Sequence, residues 1–178
     1  MLFRLLMAPV FCRRGAAAAE MALVTPFLII LMFGAFELGN YFLSEHVVVK
    51  AVRDGVRYAS RMNLAKYNCT SASTDNPLTD TVMEDQIQNL VRTGIINSDG
   101  EARLRGWTDA TAIDVGYDCI AVGNVDPPYG GIYTGLNYVP VVHVKVNELD
   151  YVSLFNNLGF TSSTIKLNAE AQSAVMGI

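Results

Sequence analysis

From Met21 to Phe36 no charged residue interrupts the chain, and apolar character continues past Glu37 to Leu43. A bilayer core roughly 30 Å thick takes ~20 helical residues. Met21–Leu43 is therefore predicted to span a membrane. A buried core helix is the alternative, but it is disfavoured because no other segment is apolar enough to cover this one on every side. Thr25-Pro26 is tolerable near the start of a span, where a threonine hydroxyl or a neighbouring group can re-satisfy freed backbone groups.

The helical pattern continues beyond the span. Val48, Val52, Val56 and Ala59 recur at three- and four-residue steps, and Arg53, Arg57 and Arg61 at four-residue steps along another line. Gly55 is a weak point there, costing about 1 kcal/mol relative to alanine. A helix from Ala16 to Met62 extends about 70 Å at about 1.5 Å per residue.

Asp80 to Thr93 predicts a second, amphipathic helix, with Val82, Met83, Ile87, Leu90 and Val91 inward. Asp80 or Thr81 would cap it and Gly94 would end it. After Gly100 the period changes to two. Ile113–Cys119, Val142–Val146 and Ile165–Ala171 predict three strands with one face on the helices and one toward water. On that pattern His143, between two valines, is a solvent-face residue. Gly123–Gly135 reads as a turn-rich loop and Tyr151–Leu158 as a short helix. The predicted class is α+β: a long N-terminal transmembrane helix, then a head with about two helices and a three-stranded, mainly antiparallel sheet.

Charge sharpens the division. The 178 residues carry 13 Lys+Arg and 17 Asp+Glu, a net charge of −4. Residues 1–62 hold seven basic and four acidic groups, and the remainder six and thirteen. An acidic chain lacks the basic footprint of a nucleic-acid binder. Arg4, Arg13 and Arg14 before the span place the N-terminus in the cytoplasm. Lys50, Arg53, Arg57 and Arg61 after it oppose that count. No small-x-small cleavage site follows the apolar run.

Residues 13–23 read Arg-Arg-Gly-Ala-Ala-Ala-Ala-Glu-Met-Ala-Leu. The order of basic pair, glycine, small residues and a glutamate opening an apolar helix resembles the processing site of type IV prepilins. That resemblance implies a cut by a prepilin peptidase between Gly15 and Ala16, with Glu20 fifth in the mature chain. A plain signal anchor is the competing reading. A carboxylate near hydrocarbon costs about 2.5–3.5 kcal/mol at mid-helix, and the new amine on Ala16 of a neighbouring subunit would offset part of it. Alanines 16–19 present a thin surface suited to close helix packing.

Phe36-Glu37-Leu38-Gly39 and the Ala-x-Arg-x-Gly-x-Arg-x-Ala segment at 51–59 extend the match. Together with Gly15–Glu20 they resemble the TadE-like family of the tight-adherence (Tad, or Flp) pilus system. TadG-like relatives share the signature but are longer, so 178 residues favours the TadE-like group.

The resemblance implies a minor pseudopilin in three parts: a leader (1–15), a transmembrane and stalk helix (16–62) and an exported, pilin-like α+β head (63–178). It implies location in the inner membrane with the head periplasmic or extracellular, in some cases associated with the pilus. Its partners would be the prepilin peptidase, other pilins and pseudopilins, the pilus assembly platform and inner-membrane lipid. Glu20, Glu37, Gly39, Arg53, Gly55 and Arg57 would serve helix packing and assembly. The arginine stripe suits acids of the head or of a neighbour, anionic headgroups, or simply solvent.

Loss of Cys12 with the leader would leave Cys69 and Cys119 as an even pair in an oxidising compartment, which favours a bridge over two buried thiols. Candidate chemistry is otherwise sparse. His46 and His143 lack metal-site spacing, and Asp80, Glu84 and Asp85 are explained by helix capping. Asp99-Gly100-Glu101 reads as a turn. Trp107 and Tyr117, Tyr129, Tyr133 and Tyr138 suit an adhesive patch or a partly buried core. No phosphate loop or nucleophile motif occurs. The expectation is a structural protein without enzymatic activity, cofactor or metal. The rival function is an unprocessed single-span anchor carrying a periplasmic binding module.

Overall fold

The computed structural model describes residues 13–108, 110–124, 131–156 and 165–177, excepting the side chains of residues 13, 14 and 124. Most of the leader with Cys12, the Asp126–Gly130 turn with Tyr129, and residues 157–158 of the expected short helix lie outside them. Its elements are helix α1 (Arg13–Ala59), strand β1 (Ser73–Pro77), helix α2 (Thr81–Thr93) and strands β2 (Ile113–Ala121), β3 (Tyr138–Asp150) and β4 (Lys166–Ala174). Contacts divide the chain into two units at Gly39/Asn40.

In the first unit, every described side chain from Gly15 to Phe36 is exposed. α1 continues through Pro26. The Thr25 hydroxyl donates to the Met21 carbonyl at 2.6 Å. That carbonyl lies one residue before the Ala22 carbonyl, which loses its amide partner to the proline ring.

The second unit begins on the same helix. Val48, Ala51, Val52, Val56 and Ala59 are buried in the core with Met83, Ile87 and Val91 of α2 and the inner face of the sheet. The four-residue recurrence of 48, 52 and 56, and of 83, 87 and 91, gives each helix one apolar stripe. Val82, expected on the α2 stripe, is 64% exposed. Asp80 caps α2, accepting from the Met83 amide at 3.2 Å, and Gly94 ends it at φ +89°. Positive φ carries little penalty for glycine.

α1 stops at Ala59, three residues before the expected Met62. The Tyr67 hydroxyl donates to the Ala59 carbonyl at 2.7 Å, and Asn63 opens a short 3-10 turn over Leu64–Lys66. Side-chain groups thus satisfy helix-end carbonyls that another turn of helix would have paired.

The sheet is an antiparallel meander in the order β1-β2-β3-β4. It has four strands where the pattern predicts three. The missed strand is Ser-Thr-Asp-Asn-Pro at the sheet edge. Its sequence lacks the apolar alternation of a strand and carries a proline, which only an edge position tolerates. Tyr151–Asn156 contains no α-helix; Tyr151 is buried against Tyr41 in an edge-to-face pair 5.4 Å apart. Cys69 and Cys119 form the expected disulfide, with Cα atoms 5.5 Å apart. Trp107, Tyr117 and Tyr133 are buried, favouring the core reading of those aromatics.

Candidate functional site

Two regions carry candidate functional side chains. The first is the N-terminal part of α1. Ala16 and Glu20 are exposed. A Cβ added at Gly15, Gly34 or Gly39 would meet nothing within 4 Å, so these glycines leave open surface along the helix. Glu37 is partly covered.

Further along α1 the expected assembly residues separate. Arg53, Arg57 and Arg61 are exposed, whereas Gly55 is buried. A Cβ at Gly55 would lie 2.5 Å from Val91 Cγ2, with Ile87 and Val144 close behind. Gly55 is thus a contact point between α1 and α2 within the chain. Beside it Asp54 accepts from Arg103 Nη1 at 3.0 Å, and Arg103 Nη2 donates to the Leu90 carbonyl at 3.2 Å near the end of α2. This ion pair ties α1 to the segment after α2. No local pattern signals it, because the partners lie 49 residues apart.

The matched family signature lies along this helix. A family model described as TadE-like protein matches residues 15–57. Residues 15–57 are TadE-like. The match begins at the glycine of the processing motif and ends within the Ala-x-Arg-x-Gly-x-Arg-x-Ala segment. No curated protein and no solved structure matches the chain. The matched segment is similar to TadE-like proteins, and among the described residues it belongs to the one helix long and apolar enough to cross a membrane.

The second region lies on the sheet. Val142, Val144 and Val146 face the helices and are fully buried, so His143 between them points to the opposite face. The pattern predicted that face but not the burial, since His143 is only 2% exposed. Its cross-strand partner is Gly116, where a Cβ would lie 2.5 Å from the imidazole Nε2. Only a residue without a side chain leaves room for the ring there.

A register shift in β1 between Ser73 and Asn76 places Asp75 at φ +56° over the imidazole. Bulges re-aim side chains in this way. Asp75 Oδ1 lies 3.1 Å from His143 Nε2 and 3.3 Å from Lys145 Nζ. The Asp75 amide donates to Asp118 Oδ1 at 2.7 Å, and that oxygen lies 3.9 Å from His143 Nδ1. The Lys145 ammonium, with a smaller contribution from His143, holds the Asp75 carboxyl below its ordinary range. At the start of α2, the Lys66 ammonium and the Met83 amide do the same for Asp80. Asp114 completes the cluster: one ligand atom each from Asp75, Asp114 and His143 lie within 4.8 Å of one another. Sequence spacing could not reveal this set, because it joins three strands.

Proposed function

We propose that this chain is a minor pseudopilin-like structural protein of a Tad/Flp pilus, matured after Gly15 by a prepilin peptidase. Its mature part packs through the N-terminal helix against other pilins or pseudopilins, supporting pilus assembly and adhesion. The observation that carries the reading is the TadE-like match that starts at Gly15 and runs along a helix whose apolar side chains from Met21 to Phe36 are uncovered. Uncovered apolar side chains over such a length need lipid or neighbouring helices. Glu20 adds a charge requirement that the freed Ala16 amine of an adjacent subunit meets. Gly15, Gly34 and Gly39 leave open surface for close approach.

In this reading residues 1–15 are the leader, 16–62 the membrane and packing segment, and 63–178 the exported head. The N-terminus is cytoplasmic, in the inner membrane, with Arg53 and Arg57 on the exported side of the span. A disulfide between Cys69 and Cys119 accords with export, since such bonds persist in oxidising compartments.

Protein purified from membranes of cells carrying the pilus system should begin at Ala16 on N-terminal sequencing. Gly15→Ala should retain the leader and have an intact mass greater by those fifteen residues, apart from the substitution itself. A wild-type chain that still begins at Met1 would overturn processing and leave a single-span anchor with a periplasmic binding module.

A further inference from the structure

We propose that His143, Asp75 and Asp114 form a binding site for one divalent transition-metal ion, with zinc the best match to the ligand chemistry. The site lies on the sheet face away from the helices, and the TadE-like signature has no part in it.

The imidazole makes the case. His143 is 98% buried, and its Nε2 has no hydrogen-bond partner. Asp75 Oδ1 sits 3.1 Å from that nitrogen, close enough for charge attraction but outside hydrogen-bond geometry. Buried polar atoms are paired in the great majority of cases, so an unpaired one calls for an explanation. An imidazole with two carboxylates in reach suits a cation between them. Either a proton or a metal ion supplies it. Zinc accepts both imidazole nitrogen and carboxylate oxygen, and water can complete a tetrahedron.

The surroundings fit an ion-sized occupant. Gly116 makes room for the imidazole, and the Asn76 carbonyl lies 3.0 Å from where its Cβ would be. Asp75 and Asp114 are exposed and His143 is buried, so the carboxylates are free to close on the ring. Zinc takes nitrogen and oxygen ligands at about 2.0–2.2 Å, and donor atoms already within 4.8 Å of one another need only side-chain rotation to reach those distances. The ligands come from β1, β2 and β3, so an ion would pin the polar edge strand to the sheet. Lys145 is the built-in competitor, because its ammonium lies 3.3 Å from the same Asp75 oxygen.

The test uses the full chain in detergent micelles, freed of metal with a chelator and titrated with Zn²⁺ by calorimetry at neutral pH. Cobalt absorption reports the coordination geometry. One saturable site per chain is expected, with a rise in melting temperature on zinc addition. Asp114→Asn should weaken binding by more than about tenfold while leaving the metal-free melting temperature unchanged. Lys145→Met, which removes the competing cation, should tighten it. His46→Gln, replacing the other of the two histidines, should leave it unaltered. Binding should also weaken as pH falls, because metal ligands must be deprotonated. The proposal is overturned if the wild type shows no saturable zinc binding, if Asp114→Asn binds as tightly as wild type, or if His46→Gln abolishes binding.

Discussion

Replacing Gly55 with alanine sets two effects of opposite sign against each other. By helix propensity alone, alanine should stabilise the interior of α1 by about 1 kcal/mol. The packing argues the reverse. The new methyl carbon would sit 2.5 Å from Val91 Cγ2, far inside contact distance, with Ile87 Cγ2 at 3.6 Å and Val144 Cγ1 at 3.8 Å. Valine in a helix has essentially one rotamer, so Val91 cannot swing aside. It is fully buried, so it has no solvent to move into. Relief therefore requires α1 and α2 to separate, and overpacking of this kind costs about 1–3 kcal/mol. The net expectation is a loss of up to about 2 kcal/mol after the propensity gain.

Trp107, the chain's one tryptophan and 1% exposed, reports unfolding of this unit by fluorescence in urea. A double-mutant cycle isolates the clash. Val91→Ala alone should cost about 2 kcal/mol from lost burial. In that background, Gly55→Ala should become neutral or favourable, giving a coupling of about 1–3 kcal/mol. A stabilised Gly55→Ala single variant, or an equal cost in both backgrounds, would refute the close-approach argument.

Three further outcomes follow from the same unit. Cys69→Ala with Cys119→Ala should lower stability by about 2–4 kcal/mol, since the bridge spans 50 residues and constrains the unfolded chain; urea midpoints with and without reductant measure it. Arg103→Ala should cost about 1–2 kcal/mol by removing a charged hydrogen bond to Asp54 and a donor to the Leu90 carbonyl, and Arg103→Lys should restore only part of this on thermal unfolding. Asp75 and Asp80 both have carboxyls held below their ordinary range. Their contribution is therefore complete above about pH 4 and is lost as pH falls through their folded-state values. An acid titration of the melting temperature should show that loss shrinking in Asp80→Asn.

Much of the second unit could be read along the chain. The α2 stripe, its Asp80 cap and Gly94 terminator, and the valines of β3 are local signals, because a helix or strand face repeats at a fixed interval. β1 escaped because an edge strand facing water on its polar side needs no apolar pattern, only backbone partners on β2. The short helix expected at Tyr151 failed for a related reason. Tyr151 instead packs on Tyr41, and its hydroxyl meets the Asn40 amide at 2.7 Å, contacts made over more than a hundred residues.

By itself the sequence determined the apolar helix, its TadE-like motif, the α+β class and the pairing of Cys69 with Cys119. The helix and the class follow from periodicity and composition, the motif from resemblance to TadE-like proteins, and the cysteine pair from the leader loss that this resemblance implies. Tertiary structure decided what Gly55 is for, why His143 is buried, and which carboxylates meet it. Those properties belong to side chains brought together from separate elements, and no interval along the chain encodes their distance.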